Sequence, residues 1–333
     1  MPIASITRRT FGLSIGVIGL LLAIGRPAMS QPDIRPLGQK PLKVSFESGN
    51  GSVVAHLHLP SRYDPTWSYP AVAIGGSMSS VKEQMADTYA GELAQRGIIA
   101  LAIDYRNFGE SSGAKRQCED PASKAEDLSA ALRFLKKRPD VSGTGLLGIC
   151  TSGGTVLYTA ATDANVSAVA TVAGYFADPE LMLKMFGPEG VEQRRALGHE
   201  ALKRFDKTGV IDTVRAYDPV DKTAASTSPS EYYMDTSRGG AVRSWRNEFA
   251  LMGWEGWLDF NPVAQATAVT APALIIHSDG SAFPDQARRV HELLGGPKHL
   301  HWTEGKHFDF YDRPETVRAS VEQLATFFIK TLN

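Results

Sequence analysis

The chain has 333 residues, 43% hydrophobic and 21% charged, a composition that builds a sizeable core and excludes a disordered or fibrous protein. A net charge of −1 leaves no basic footprint, which excludes nucleic acid as a partner. Two cysteines, Cys118 and Cys150, are too few for a disulfide framework.

The first thirty residues read as an export signal. Arg8-Arg9 opens a basic region, Phe11 to Gly25 follows without a charge, and Ala28-Met29-Ser30 offers small residues for a peptidase. The arginine pair followed by x-Phe-x-Leu is similar to a twin-arginine signal, which implies a periplasmic protein starting at Gln31 with no stable membrane span. Lys43 to Ser48 and Ser52 to Leu59 then alternate apolar with polar residues across Gly49-Asn50-Gly51, a hairpin pattern. His56 and His58 share one strand face there, without a third metal ligand nearby.

From Pro70 the pattern becomes strand–helix alternation. Strands are expected at Ala71 to Ile74, Ile98 to Ile103, Gly145 to Ile149, Ala168 to Ala173, Ala273 to His277 and Leu300 to Thr303. Helices are expected at Lys82 to Gln95, Lys124 to Lys137, from Thr151, at Asp285 to Leu294 and from Pro314 to about Thr331. Continuously apolar strands between amphipathic helices imply an α/β fold, a mostly parallel sheet covered on both faces. An insertion from about 176 to 270 interrupts this rhythm. Helical spacing recurs in it at Pro179 to Phe186 and Val191 to Lys207, followed by Tyr232, Tyr233, Trp245, Trp254 and Trp257, and it reads as a lid.

The chemistry centres on Gly148-Ile149-Cys150-Thr151-Ser152-Gly153-Gly154, where an apolar strand turns sharply into a helix. Small neighbours two residues either side of Cys150 fit a nucleophile elbow, and the helix N-terminus there favours a thiolate. The same stretch admits Ser152 as the nucleophile in a shifted register. His307, in the loop after the last strand, is the expected base. The acid is Asp279, first after its strand, with Asp285 as the alternative at the start of the next helix. Backbone N–H groups of Ser77 or Met78, after Gly75-Gly76, and of Thr151 are the expected oxyanion hole. Tyr233, Trp254 and Trp257 are candidates for an apolar acyl pocket, and Cys118 is read as a loop residue without chemistry. No cofactor or metal is called for by any ligand cluster.

These motifs carry a resemblance. Gly148-x-Cys150-x-Ser152-Gly153-Gly154, the run Asp104 to Ser111, Glu304-Gly305-x-His307 and Val81-Lys82-Glu83-Gln84 are similar to the dienelactone-hydrolase-like branch of the α/β-hydrolases. The resemblance implies one such domain over 31–333, with the lid inserted at about 176–270. It implies a Cys150–His307–Asp279 triad that hydrolyses an ester, lactone or related small-molecule acyl bond through an acyl-enzyme. It also implies a place for Glu83 against the resting thiol. Acyl transfer or peptide cleavage on the same triad, a binding protein without turnover and a redox-sensing thiol are the alternatives; oligomeric state is open.

Overall fold

The computed structural model describes residues 40–333; the export signal read at 1–30 lies outside them. Strands β1 (Leu42–Ser48) and β2 (Gly51–His58) form the expected hairpin, turning at Gly49 with φ of 51°, a value that glycine adopts without strain. The alternating units follow: β3 (Tyr69–Gly75), α1 (Met85–Ala94), β4 (Ile99–Ile103), α2 (Pro121–Lys136), β5 (Val141–Ile149), α3 (Thr151–Thr162) and β6 (Ala168–Val172). The insertion comprises α4 (Pro179–Thr208), β7 (Thr213–Val214), α5 (Glu231–Met234), β8 (Phe249–Ala250), α6 (Trp254–Leu258) and α7 (Pro262–Gln265). The alternation resumes with β9 (Ala273–Gly280), α8 (Pro284–Leu293), β10 (Lys298–Lys306), α9 (Asp309–Asp312) and α10 (Pro314–Leu332).

Eight strands form one sheet in the order β1-β2-β4-β3-β5-β6-β9-β10, parallel from β4 to β10 and antiparallel at the hairpin edge. The α1 and α10 helices cover one face, and α2, α3 and α8 the other. Each face has its own apolar cluster, and the cluster under α1 and α10 extends into the lid through Tyr217, Tyr233, Phe249 and Trp254. Because the strands run parallel, the loops after β3, β5, β9 and β10 open on one edge of the sheet, where ligands of such folds bind.

Three departures from the sequence reading bear on the site. Helix α1 starts at Met85 rather than Lys82, because Lys82 turns inward: its buried ammonium meets Asp104 at 2.9 Å and Glu83 and Glu110 at 2.7 Å. The lid helices are one element kinked at Gly187 (φ 69°, ψ 165°), where Pro188 follows and lacks an N–H for the helical ladder. Strand β9 runs on to Gly280, which pairs with Lys306, so Asp279 belongs to a strand and not to a loop. His56 and His58 both bond Asp87 of α1 at 2.8 Å, tying the hairpin to the helix. No group suited to a metal ion occurs among the described residues.

Candidate active site

Between β5 and α3, Cys150 has φ of 55° and ψ of −117°, a conformation costing about 1–3 kcal/mol for a residue with a Cβ. The elbow is held from both sides: Cys150 N–H donates to the Val172 carbonyl at 3.1 Å, and its own carbonyl accepts from Tyr175 N–H at 2.7 Å. Gly148 has no room for a Cβ, which would collide with the Ser152 carbonyl. Ser152 itself is fully buried beneath the turn, its hydroxyl bonded to the Gly76 carbonyl and to Tyr105 Oη at 2.7 Å. The hydroxyl is therefore part of the scaffold, and the residue presented at the turn is Cys150.

Two main-chain N–H groups, of Thr151 and Met78, lie against the sulfur and favour its anionic form. Thr151 opens α3, whose first N–H groups have no helical partner. Met78 leaves the turn after β3, where a Cβ on Gly75 would strike Tyr105 and Ser152. Of the two donors expected beyond β3, Met78 is the one at the thiol. The Ser77 hydroxyl is bonded to Tyr233 Oη, and the Ser77 carbonyl accepts from the Ser80 hydroxyl at 2.9 Å.

His307 does not reach the thiol directly. The Tyr311 hydroxyl stands between them, 3.1 Å from His307 Nε2 and hydrogen-bonded to Cys150. On the far side of the ring, Ala282 N–H donates to His307 Nδ1 at 3.3 Å. A main-chain N–H only donates, so Nδ1 presents its lone pair, the ring proton sits on Nε2, and the Tyr311 proton points to the sulfur. A triad has a carboxylate at Nδ1. Here Asp279 is turned to the opposite side, with its side chain 74% exposed and bound by Arg288 at 2.6 Å. Strand alternation causes this: with β9 continuing to Gly280, Asp279 faces Arg288 of α8 rather than the His307 loop. Asp285, 99% exposed, pairs with the same arginine at 3.2 Å. Neither expected acid orients the histidine.

Glu83 is likewise away from the thiol, held by Lys82 at 2.7 Å and by the Ser244 hydroxyl at 2.9 Å. Of the aromatic pocket candidates, Tyr233 bonds the Ser77 hydroxyl next to Met78. Trp257 stacks at 5.5 Å on Tyr175, which adjoins the thiol, whereas Trp254 packs at 4.7 Å on Phe249 inside the lid. The sequence reading missed Tyr311, Tyr217 and Glu119. Tyr311 lies four residues after His307, a spacing that brings two side chains together on one helical turn. Tyr217 and Glu119 carry no motif.

Burial dominates the electrostatics. It pushes the Cys150 thiol up to about 11 despite the donors from Tyr311, Thr151 and Met78, so the helix N-terminus alone does not make a low-pKa thiol here. Burial, helped by neighbouring His277, takes His307 down to about 3. Tyr175, Tyr233 and Tyr311 are raised by the same cause and stay protonated. Cys150 is only 6% exposed, closed over by the lid, and Cys118 is a free buried thiol pushed up to about 12 by burial.

Residues 65–320 match the family described as "Alpha/beta hydrolase family". The uncharacterized protein PA2218 of Pseudomonas aeruginosa is 30% identical over 305 residues, 86% of this chain and 79% of that protein. Its crystal structure superposes with a TM-score of 0.78 at 26% identity, covering 92% of this chain and 99% of the other. The uncharacterized protein YcjY of Escherichia coli is 37% identical over 136 residues, 39% of this chain and less than half, 44%, of that protein. A thiohydrolase of Eupenicillium brefeldianum is 24% identical over 249 residues, 72% of this chain and 80% of that one. A dienelactone hydrolase of Anabaena variabilis shares the fold with a TM-score of 0.53 at 16% identity, over 89% of this chain and all of the other.

Proposed function

Since the chain belongs to the alpha/beta hydrolase family, we propose that it hydrolyses an acyl bond, ester or thioester, through a thioester intermediate on Cys150. The observation that carries this reading is the strained elbow at Cys150 with the Met78 and Thr151 N–H groups on its sulfur, where a tetrahedral oxyanion also needs them. The thiol proton passes to the Tyr311 oxygen as the Tyr311 proton passes to His307 Nε2, leaving a thiolate and an imidazolium. The reactive histidine tautomer then carries its other proton on Nδ1, so the Ala282 N–H that occupies Nδ1 in the closed form has to withdraw. The thiolate forms a bond to the acyl carbon, the oxyanion collapses, and the leaving group departs with the proton from His307. Water, deprotonated by His307, releases the acid and the thiol. The relative named a thiohydrolase favours an acyl group carried on sulfur.

The test is turnover of a panel of chromogenic acyl esters and thioesters by wild type, Cys150→Ala and Ser152→Ala. Loss in Cys150→Ala with activity kept in Ser152→Ala is the expected result; the reverse would return the nucleophile to Ser152. A second reading, acyl transfer to an alcohol or amine, draws on the closure of the lid over a thiol that is 6% exposed, since exclusion of water protects an acyl-enzyme for another acceptor. Product analysis with added acceptors separates the two.

A further inference from the structure

The Met78 N–H is useful only while the peptide it belongs to faces the sulfur. The structure shows what holds it. The peptide's own carbonyl, of Ser77, accepts from the Ser80 hydroxyl at 2.9 Å. The next peptide, Met78–Ser79, is gripped at both ends. Its carbonyl accepts from Tyr217 Oη at 3.0 Å, and its N–H donates to Glu119 Oε1 at 2.6 Å. Ser79 follows with φ of 55°, a left-handed conformation that a serine keeps only where its surroundings impose it.

The two grips come from different parts of the molecule. Glu119 precedes α2 in the hydrolase core and is 2% exposed; its other oxygen is paired with Lys124, whose ammonium lies 4.8 Å over the Tyr105 ring and 4.7 Å over that of Phe108. A buried carboxylate close to a site for a developing anion opposes that anion, and Lys124 offsets this, so the role of Glu119 is as an acceptor fixed in place. Tyr217 belongs to the lid. Its N–H donates to Asn247 Oδ1 and its carbonyl accepts from Asn247 Nδ2, both at 2.8 Å, while its ring stacks on Tyr233 with centroids 4.1 Å apart. Tyr233 in turn reaches Ser77. The lid thus touches two consecutive residues of the oxyanion segment with two phenols.

We propose that Glu119 and Tyr217 are positioning residues that aim the Met78 N–H at the reacting atoms, so that lid closure completes the oxyanion hole. An open lid withdraws Tyr217 from the Met78 carbonyl and Tyr233 from Ser77, leaving Glu119 and the Ser80 hydroxyl to hold the segment. Closure therefore does two things at once: it covers the thiol and finishes the site that stabilises charge. The proposal rests on the hydrolase reading for its catalytic consequence but not for its geometry.

Tyr217→Phe removes only the hydroxyl and keeps the ring stack. The expected result is a fall in kcat of about tenfold with KM unchanged, since the hydroxyl acts on the transition state and not on the bound substrate. The pH profile of Cys150 alkylation by iodoacetamide should move to higher pH in the same variant, because the sulfur anion rests on the same N–H, whereas a change in lid access alone alters the rate and not the profile. Glu119→Gln keeps an acceptor for Ser79 and should be affected less than Glu119→Ala; it serves if Tyr217→Phe fails to fold. Unchanged kcat and an unchanged alkylation profile in a variant that melts like wild type would overturn the proposal. Alkylation needs no substrate, so absence of Cys150-dependent turnover would sink the hydrolase reading while leaving this measurement decisive.

Discussion

On one side of the Cys150 sulfur, two N–H groups face it from segments fixed by strand, helix and a gripped peptide. On the other, His307 reaches it only through Tyr311 and meets a main-chain N–H where a triad has a carboxylate. On the proposed function, the oxyanion side is finished and the base side is at rest. The difference teaches that the parts of one fold's active site come apart: the elbow and the hole follow from backbone geometry, whereas the acid depends on where a single strand ends. Burial on both sides leaves a thiol at about 11 and a histidine at about 3, a pair in which both groups are neutral across ordinary pH in the closed form.

The comparison can be broken at each side. The largest effect is expected from Cys150→Ala, a loss of about 10⁵-fold or more in kcat, measured on whichever acyl substrate the panel identifies. Tyr311→Phe should come next, lowering kcat about 10²-fold by cutting the proton path to His307. It has a pH signature as well. The Tyr311 hydroxyl lowers the thiol pKa, so its loss raises that pKa further. Alkylation, which rises with pH as thiolate forms below about 11, should need still more alkaline conditions in the variant. An unshifted profile would remove Tyr311 from the path. The smallest effect sharpens the contrast: Asp279→Asn should change kcat by no more than about twofold, against about 10⁴-fold where an aspartate orients the histidine.

Most of the scaffold was legible in the sequence, for local reasons. The hairpin follows from Gly49-Asn50-Gly51 and the elbow from Gly148 before Cys150, each a place where one residue type dictates the backbone. The run Asp104 to Ser111 was legible as a motif, though its work is structural: Asp104 anchors Lys82 and Arg106 pairs with Asp127 at 2.6 Å. Asp279 misled because Ser278-Asp279-Gly280 has turn composition, while pairing with β10 keeps it in a strand. Tyr217 and Glu119 were illegible because their partners, Met78 and Ser79, are main-chain groups about 140 and 40 residues away, and a carbonyl or an N–H leaves no trace in a sequence.

The central claim is that Cys150 carries the acyl group during turnover. Rapid quenching with an activated acyl ester or thioester at low pH, followed by fragmentation mass spectrometry of the peptide holding Cys150 and Ser152, tests it directly. The account predicts the added acyl mass on Cys150, absent from Cys150→Ala. Acyl mass on Ser152, or turnover that continues in Cys150→Ala, would contradict it.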